Sequence, residues 1–303
     1  MNASGTSSQV TKPAGGLRGA MQRRPLLFFF IMAYAFSWII LIPYILSVWG
    51  VLKGDFTFLF ILNAFVGPAL AGFLMTRVTD GPAGVRRLLR RCLQSSAGWQ
   101  WYAFVLLGIP VLYLLGIALL PGAFASFQGA TLRTLVVYVV TFVITVFLGG
   151  PLGEEPGWRG FALPRLQARY GAMWGTLLLG LLWTCWHLPH FLTPVQRGGP
   201  GTGWAAFLTN FPIFLVLVMS LAIIFTWVFN HTGESVFMAI LLHASINTLG
   251  QVVPPLFPAP AVVNTDLSIT IGVAIAALLI LILTRGRLGY ADEKDGHAAA
   301  GRS

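Results

Sequence analysis

Six ionisable residues fall within or at the edge of otherwise apolar stretches of this sequence: Glu154, Glu155, His187, His190, Glu234 and His243. An ionisable group is costly inside a membrane, so each of them is a candidate functional residue. Carboxylates and imidazoles transfer protons in general acid–base catalysis, and they also ligate zinc. Each residue taken alone is equally compatible with a polar contact that only ties helices together.

The two adjacent glutamates belong to the run Gly-Glu-Glu-Pro-Gly-Trp-Arg-Gly. On a helix, Arg159 follows Glu155 by four residues and lies on the same face, where its guanidinium neutralises that carboxylate. Glu154 lies about 100° away around the helix. We therefore expect Glu154 to face elsewhere without a local partner, as a reactive carboxylate would. Pro156 argues against a regular helix here, because proline removes a backbone hydrogen bond.

A helical hairpin is predicted to bring His187 to Glu154. The midpoint between them falls at Tyr170–Gly171, where the turn between their two helices is expected. At 1.5 Å per residue, both side chains then lie roughly 24 Å from the turn. Trp183 precedes His187 by one turn and is expected to cover the same face. His190 lies near the outer end of the same helix, and we expect its role to be structural.

His243 and Asn247 lie one turn apart and share a helix face. His243 comes nine residues after Glu234, which marks the inner end of its span, so it lies about 14 Å into the membrane. Two polar side chains aimed together at that depth are difficult to explain by packing alone. They are therefore predicted to contribute to the same site.

The composition is that of a membrane protein. Of 303 residues, 56% are hydrophobic and only 9% are charged, against roughly a quarter in a soluble domain. This excludes a disordered chain and almost any soluble enzyme of this length. Eight intervals of at least about 18 residues carry no Asp, Glu, Lys or Arg, and each is long enough for one helix that crosses a bilayer. Because the alternation of a membrane barrel is absent, we predict an all-α polytopic membrane protein with about eight transmembrane helices.

The basic residues predict the orientation in the membrane. Sixteen of the 19 Lys and Arg residues fall in segments that are cytoplasmic if the N-terminus is inside. The outer loops keep only Lys53, Arg133 and Arg197, so the positive-inside rule predicts that both termini are cytoplasmic. The formal net charge of +10 follows from this topology, and nucleic acid is not expected as a partner.

Three segments are predicted along the chain. Residues 1–25 form a basic N-terminal segment that is expected to be disordered, and residues 286–303 form a polar C-terminal tail. Residues 26–285 form a single transmembrane domain, and the candidate site lies within about residues 130–250 of it. Most of the chain is therefore expected to be surrounded by the lipid bilayer.

The sequence resembles the CPBP intramembrane protease family in three motifs that occur in the same order: Glu154-Glu155-x-x-x-Arg159, an aromatic residue, here Trp183, four positions before His187, and His243-x-x-x-Asn247. This family includes the type II CAAX prenyl endopeptidase and bacterial Abi or bacteriocin-processing proteins. The family motif often has Phe where this chain has Trp183. The resemblance covers about residues 130–250, and the remaining spans are generic.

The resemblance implies an endopeptidase that cuts a membrane-associated peptide or protein, with or without a prenylated CAAX end, in a cavity open to the cytoplasm. The roles that it implies are water activation by Glu154 and His187, oxyanion stabilisation by His243 and Asn247, and support of the site by Glu155, Arg159 and Trp183. The protein would be integral to the membrane, which is the cytoplasmic (plasma) membrane if the protein is bacterial.

A zinc site is the alternative mechanism, because three His or Glu ligands plus a water are typical of catalytic zinc. Its ligands would be Glu154, His187 and His243, converging from three helices, since the spacing His-Glu-x-x-His is absent. The cofactor is thus either none or Zn²⁺. Two other functions remain open. One is a nonproteolytic membrane scaffold or immunity-type protein, and the other is a proton-coupled transporter, although no repeated half is visible in the sequence.

Overall fold

The computed structural model describes residues 15–196, 198–257 and 265–290 of the chain. All regular secondary structure in these ranges is helical, which confirms the predicted all-α class. Residues 1–14 and 291–303, which make up most of the two predicted terminal segments, lie outside the described residues. The same is true of four basic residues used to predict the topology: Lys12, Arg197, Lys294 and Arg302.

The α-helices of the described residues are, in chain order, α1 (Gly16–Arg23), α2 (Pro25–Val48), α3 (Thr57–Ala64), α4 (Leu70–Cys92), α5 (Trp99–Ala103), α6 (Ile109–Ala118), α7 (Leu132–Leu148), α8 (Pro151–Gly157), α9 (Leu163–Trp186), α10 (Gly203–His231), α11 (Val236–Val252) and α12 (Thr265–Thr284). Wider π-helical turns join three pairs of them, at Phe65–Ala69, Phe104–Gly108 and Trp158–Ala162. These turns continue the helices on either side, so α3 runs into α4, α5 into α6, and α8 into the part of α9 before Gly171.

Six helical segments of the described residues are long and apolar enough to cross a membrane: Pro25–Val48, Thr57–Cys92, Trp99–Ala118, Gly203–His231, Val236–Leu256 and Leu267–Thr284. A seventh span is formed if Leu132–Leu148 and Pro151–Leu192, which meet at a bend of 48°, count as one. The polytopic membrane fold is therefore confirmed, whereas the number of eight spans and the cytoplasmic termini stay predictions. The count differs because α7 has only 17 residues and α9 turns back on itself.

The predicted hairpin turn lies at Gly171, within α9. Its backbone has φ +77° and ψ 170°, in the region that favours glycine, and the helix reverses direction there. The two arms pack closely, since a Cβ at Gly175 would lie 2.8 Å from the carbonyl carbon of Leu166. The second arm therefore runs back beside α8 and carries His187 toward Glu154.

The helix ends that carry most of the basic residues meet at one end of the bundle, called here the basic end. It contains the starts of α2 and α11, the Gly171 turn, and the ends of α4, α10 and α12. Arg165, before the Gly171 turn, forms an ion pair with Asp80 of α4 (2.7 Å). Arg91 of α4 forms another with Glu234, between α10 and α11 (3.3 Å). These ion pairs hold the helix ends together.

The short helix α1 also lies at the basic end. Gln22 of α1 donates a hydrogen bond from Nε2 to the carbonyl oxygen of Val78 (3.0 Å), which anchors α1 to α4. Asn230 of α10 likewise donates to the carbonyl oxygen of Leu288, just beyond α12 (2.9 Å). Part of segment 1–25, which was predicted to be disordered, is thus helical at Gly16–Arg23 because it has a packing partner.

The opposite end of the bundle contains the starts of α3, α7 and α10 and the ends of α2, α9 and α11. Trp49, after α2, donates from Nε1 to the carbonyl oxygen of Leu192, after α9 (2.8 Å). Gln128, before α7, donates its backbone N–H to the carbonyl oxygen of Leu256, after α11 (2.9 Å). Helices α2, α10 and α11 and the second arm of α9 therefore run between the basic end and the opposite end.

Candidate active site

One cavity of about 520 Å³ is lined by all four predicted catalytic residues: Glu154, His187, His243 and Asn247. The walls come from α3, the junction of α7 and α8, the end of α9, α10 and α11. The four residues are contributed by separate helices, α8, α9 and α11, which only the fold brings together. Their convergence is thus a structural fact, and their chemical roles remain predictions.

Glu154 lies in the first turn of α8, which begins after Gly150. This glycine has φ +99°, and a Cβ there would lie 2.9 Å from Glu154 Oε1. Glu154 is only 5% exposed, and its Oε2 accepts hydrogen bonds from Nε1 of Trp158 (3.3 Å) and of Trp183 (3.0 Å). The prediction that Glu154 has no local partner was wrong, because Trp158 lies one turn away on the same face.

The two indoles hold the Glu154 carboxylate without neutralising it. Indole N–H groups are neutral donors, and among the described residues no Lys, Arg or His side chain forms an ion pair with Glu154. Glu155, by contrast, has two such partners. The two adjacent carboxylates therefore have different surroundings, one fixed by neutral donors and the other tied into an ion network.

Glu155 joins two cationic or ionisable groups in the centre of the bundle. Nη1 of Arg159 lies 3.0 Å from each of its carboxylate oxygens, and both side chains are fully buried. This confirms the predicted ion pair. The guanidinium is packed between the rings of Trp183 and Phe225, with its carbon 4.2 Å and 3.9 Å from their centroids. His243 lies on the other side of Glu155, with Nδ1 2.7 Å from Oε1.

The hydrogen bonds of the two histidines determine which ring nitrogen is available. Nδ1 of His187 lies 2.8 Å from the carbonyl oxygen of Trp183, and because a carbonyl only accepts, Nδ1 carries the proton. Nδ1 of His243 donates in the same way to the Glu155 carboxylate. Both rings therefore use Nδ1 to hold their position, as catalytic histidines do, and leave Nε2 for chemistry.

Asn247 connects α11 to the end of α7. Its Nδ2 donates a hydrogen bond to the carbonyl oxygen of Gly149 (3.0 Å), which uses one of its two amide hydrogens. Asn247 lines the same cavity as His243, one turn earlier. The amide is thereby oriented by the protein before any ligand binds.

His190 also lines the cavity, although the sequence predicted only a structural role. The residue is buried, and its ring packs against Phe60, Trp186 and His187 at centroid distances of 5.1, 5.3 and 5.2 Å. These aromatic contacts are consistent with a role in packing.

Residues 136–249 match the family described as "Type II CAAX prenyl endopeptidase Rce1-like". A protein named CAAX prenyl protease 2, from Methanococcus maripaludis, is 30% identical over 99 residues, which are 31% of this chain and 34% of that protein. This part of the chain, called here the Rce1-like domain for its similarity to that family, supports the resemblance to the CPBP family. The matched region of the chain thus spans only about a third of the length of this curated relative.

The Rce1-like domain contains all seven predicted site residues, since they lie between Glu154 and Asn247. The domain boundaries also agree with the region of about 130–250 that carried the resemblance. The sequence comparison thus supports the motifs, while the positions of the side chains come from the structure.

Residues outside the Rce1-like domain also position the site. Trp38 of α2 donates from Nε1 to the carbonyl oxygen of Trp186 (3.0 Å), and Tyr34, one turn earlier, donates to the carbonyl oxygen of Leu182. These bonds fix the end of α9 that carries His187. Sequence reasoning treated the first span as generic, and the only signal was two polar aromatic residues spaced by one turn.

The zinc alternative stays a prediction, and its three proposed ligands do not form a ready metal site. Among the described residues, no group of three or more His, Cys, Asp or Glu side chains is arranged to hold a metal ion. Glu154, His187 and His243 line one cavity, where Oε2 of Glu154 accepts from two indoles and Nδ1 of His243 donates to Glu155.

Proposed function

We propose that this chain is an intramembrane endopeptidase that hydrolyses a peptide bond of a membrane-associated peptide or protein. The observation that carries the proposal is the convergence of Glu154, His187, His243 and Asn247 on one cavity inside a membrane-spanning bundle. The name of the relative, CAAX prenyl protease 2, supports a substrate with a CAAX C-terminus, either prenylated or not.

Glu154 and His187 are proposed to activate the water. A carboxylate or the unprotonated Nε2 of an imidazole accepts a proton as the water oxygen attacks the carbonyl carbon. The proton is then given to the leaving amine as the C–N bond breaks, so that neither residue is consumed. Because Trp158 and Trp183 hold Glu154 in place, little reorientation is needed before the attack.

Asn247 and His243 are proposed to stabilise the oxyanion. Asn247 has a second amide hydrogen beyond the one that it donates to Gly149. His243 uses Nδ1 for Glu155, so its Nε2 donates to the oxyanion when both ring nitrogens carry a proton. Oriented donors of this kind contribute about 2.7 to 4 kcal/mol each in other hydrolases.

The decisive variant is Glu154→Gln, which keeps the size of the side chain and removes the base. With a fluorogenic CAAX peptide in farnesylated and unprenylated forms, we expect turnover to fall by about 10²- to 10⁴-fold on whichever form the wild type cleaves. Glu234→Gln is the matched control, because Glu234 lies at the basic end in an exposed ion pair. If purified Glu154→Gln cleaves as fast as the wild type, Glu154 is not the base.

The oxyanion role is tested with Asn247→Ala. We expect kcat to fall by about 10²- to 10³-fold with little change in KM, because the lost interaction is made only in the transition state. Asn230→Ala removes the same group at the basic end, outside the cavity, and should stay within a few-fold of the wild type. Equal kinetics for both variants would remove Asn247 from the mechanism.

Metal dependence is tested separately from the protease assignment. Zinc is measured in the purified wild type and in His243→Ala, and activity is measured before and after a chelator. We propose that turnover is the same before and after the chelator and that it does not depend on the amount of zinc in the purified protein. Stoichiometric zinc that is lost in His243→Ala would overturn the metal-free mechanism and leave the endopeptidase proposal standing.

A further inference from the structure

The cavity opens away from the basic end. Its wall includes Val195 in the loop after α9 and Gln251 in the last turn of α11, which belong to the opposite end. Ile61, near the start of α3, also lines it. Val195 is 46% and Ile61 40% exposed, so these residues form its rim.

The depth of the site agrees with this position. Asn247 lies eleven residues beyond Val236, the start of α11 at the basic end, or about 16 Å at 1.5 Å per residue. Glu154 precedes the Gly171 turn by 17 residues, or about 25 Å along the helical rod. The hydrocarbon core of a bilayer is about 30 Å thick. His243, seven residues beyond Val236, lies about 10 Å from the basic end on the same scale, so the reactive groups lie around the middle of the membrane and the cavity extends from them toward the opposite end.

The basic residues assign the two ends to the two sides of the membrane. Among the described residues, those at the basic end are Arg18, Arg23, Arg24, Arg77, Arg86, Arg87, Arg90, Arg91, Arg165, Arg169, Arg285 and Arg287. The described residues of the opposite end contribute only Lys53 and Arg133. Arg159, which the sequence analysis counted as cytoplasmic, is fully buried beside Glu155 and does not mark a side. Without Arg159, the basic residues are still concentrated at the basic end. The positive-inside rule therefore places the basic end in the cytoplasm.

We infer that the cavity opens on the non-cytoplasmic side of the membrane and takes an extracytoplasmic segment of a membrane-associated peptide. Cytoplasmic termini and a cavity open to the cytoplasm were both predicted from the sequence, and the geometry makes these two predictions incompatible. The orientation is independent of the chemistry, whereas the nature of the occupant rests on the proposed endopeptidase function.

The lining of the cavity narrows the class of occupant. No Lys or Arg lines it among the described residues, and its polar groups toward the rim include the neutral amides of Asn63, Gln196 and Gln251. Neutral amides pair with the backbone N–H and C=O groups of a peptide. The occupant is therefore assigned as an uncharged stretch of peptide on the outer side.

Cysteine labelling tests the orientation. Single cysteines are placed in a Cys92→Ser, Cys185→Ser background at Gln251 and Lys53 (opposite end) and at Arg90 and Arg169 (basic end). A membrane-impermeant maleimide is added to right-side-out spheroplasts and, as the reference for full access, to detergent-permeabilised spheroplasts. We expect Gln251→Cys and Lys53→Cys to be labelled to the same extent in both samples, and Arg90→Cys and Arg169→Cys to be labelled only after permeabilisation.

Two results would overturn the inference. Labelling of Arg169→Cys in intact spheroplasts, with or without labelling of Lys53→Cys, would show a reversed or mixed orientation. Protection of Gln251→Cys where Lys53→Cys reacts would show that the cavity does not open on that side. Glu154→Gln in the same background should label identically, so that a failure of the endopeptidase proposal leaves this result unchanged.

The occupant is tested with an unprenylated, uncharged fluorogenic peptide that is blocked at both ends. Added outside spheroplasts, it should be cleaved by the wild type and not by Glu154→Gln. Cleavage that occurs only in inside-out vesicles would overturn the outward opening. Cleavage of the farnesylated CAAX peptide alone would overturn the assigned occupant.

Discussion

Helices α7 and α11 have the same length of 17 residues and pack against each other, yet their surroundings differ greatly. Twelve residues of α11 are buried, whereas Thr145 is the only buried residue of α7. Both helices contribute to the same cavity, α11 with the side chains of His243 and Asn247, and α7 with the residues at its C-terminal end.

The difference shows how a membrane protein holds reactive groups in place. His243 is fixed because α11 is surrounded by protein and because Glu155 accepts a hydrogen bond from its ring. The end of α7 is fixed by a single polar contact on this side, the carbonyl oxygen of Gly149 with Asn247. Functional side chains are therefore carried by the helix that lipid does not reach, and the lipid-facing helix contributes mainly backbone.

The largest expected effect comes from the ion network that anchors α11. Glu155→Gln leaves Arg159 fully buried without its carboxylate, so we expect unfolding in mixed micelles to cost about 3 to 5 kcal/mol less than for the wild type. Arg165→Gln breaks a partly exposed ion pair with Asp80 and should lower the free energy of unfolding by at most about 1 kcal/mol. Equal losses for the two variants would show that burial does not decide the strength of these pairs.

A matched pair of leucines tests the packing itself. Leu242 of α11 is completely buried, and we expect Leu242→Ala to destabilise the fold by about 2 to 5 kcal/mol because it leaves a cavity. Leu135 of α7 is 58% exposed, so lipid fills the space in Leu135→Ala and the loss should be below about 0.5 kcal/mol. Thermal unfolding of both variants in one detergent checks the difference, and a larger loss for Leu135→Ala would contradict it.

The smallest expected effect concerns the helix starts. Ser235 caps α11, accepting from the backbone N–H of Met238 (3.2 Å) and donating to the carbonyl oxygen of Gln94 (2.7 Å) while fully buried. Ser235→Ala should lower the free energy of unfolding by about 1 to 2 kcal/mol. Thr131→Ala, which removes the exposed N-cap of α7, should lower it by about 0.5 kcal/mol. A reversed order in the melting temperatures would mean that the cap of α7 matters more than its exposure suggests.

Local spacing was enough to predict part of the site. The ion pair of Glu155 and Arg159 follows from a separation of four residues, and the meeting of Glu154 with the end of α9 follows from a symmetric hairpin about Gly171. The hydrogen bond from Trp158 to Glu154 also has this spacing and could have been predicted. Interactions within one helix or one hairpin depend only on the rise and pitch of the helix.

The remaining contacts depend on how distant helices are arranged. The hydrogen bond between His243 and Glu155 joins residues 88 positions apart, and the one between Asn247 and Gly149 joins residues 98 positions apart. Nothing in either local sequence indicates the partner, because the contact is created by the packing of α11 against α7 and α8. The side of the membrane on which the cavity opens depends in the same way on which ends of these helices meet.

The ring of Trp183 lies between two opposite charges. Its N–H donates to the carboxylate of Glu154 (3.0 Å), while the guanidinium of Arg159 lies over its face at 4.2 Å. The emission wavelength of an indole depends on the electric field along the ring. We therefore expect a molecule that displaces or neutralises either charge to shift the fluorescence of Trp183, which comparison with Trp183→Phe separates from that of the other nine tryptophans.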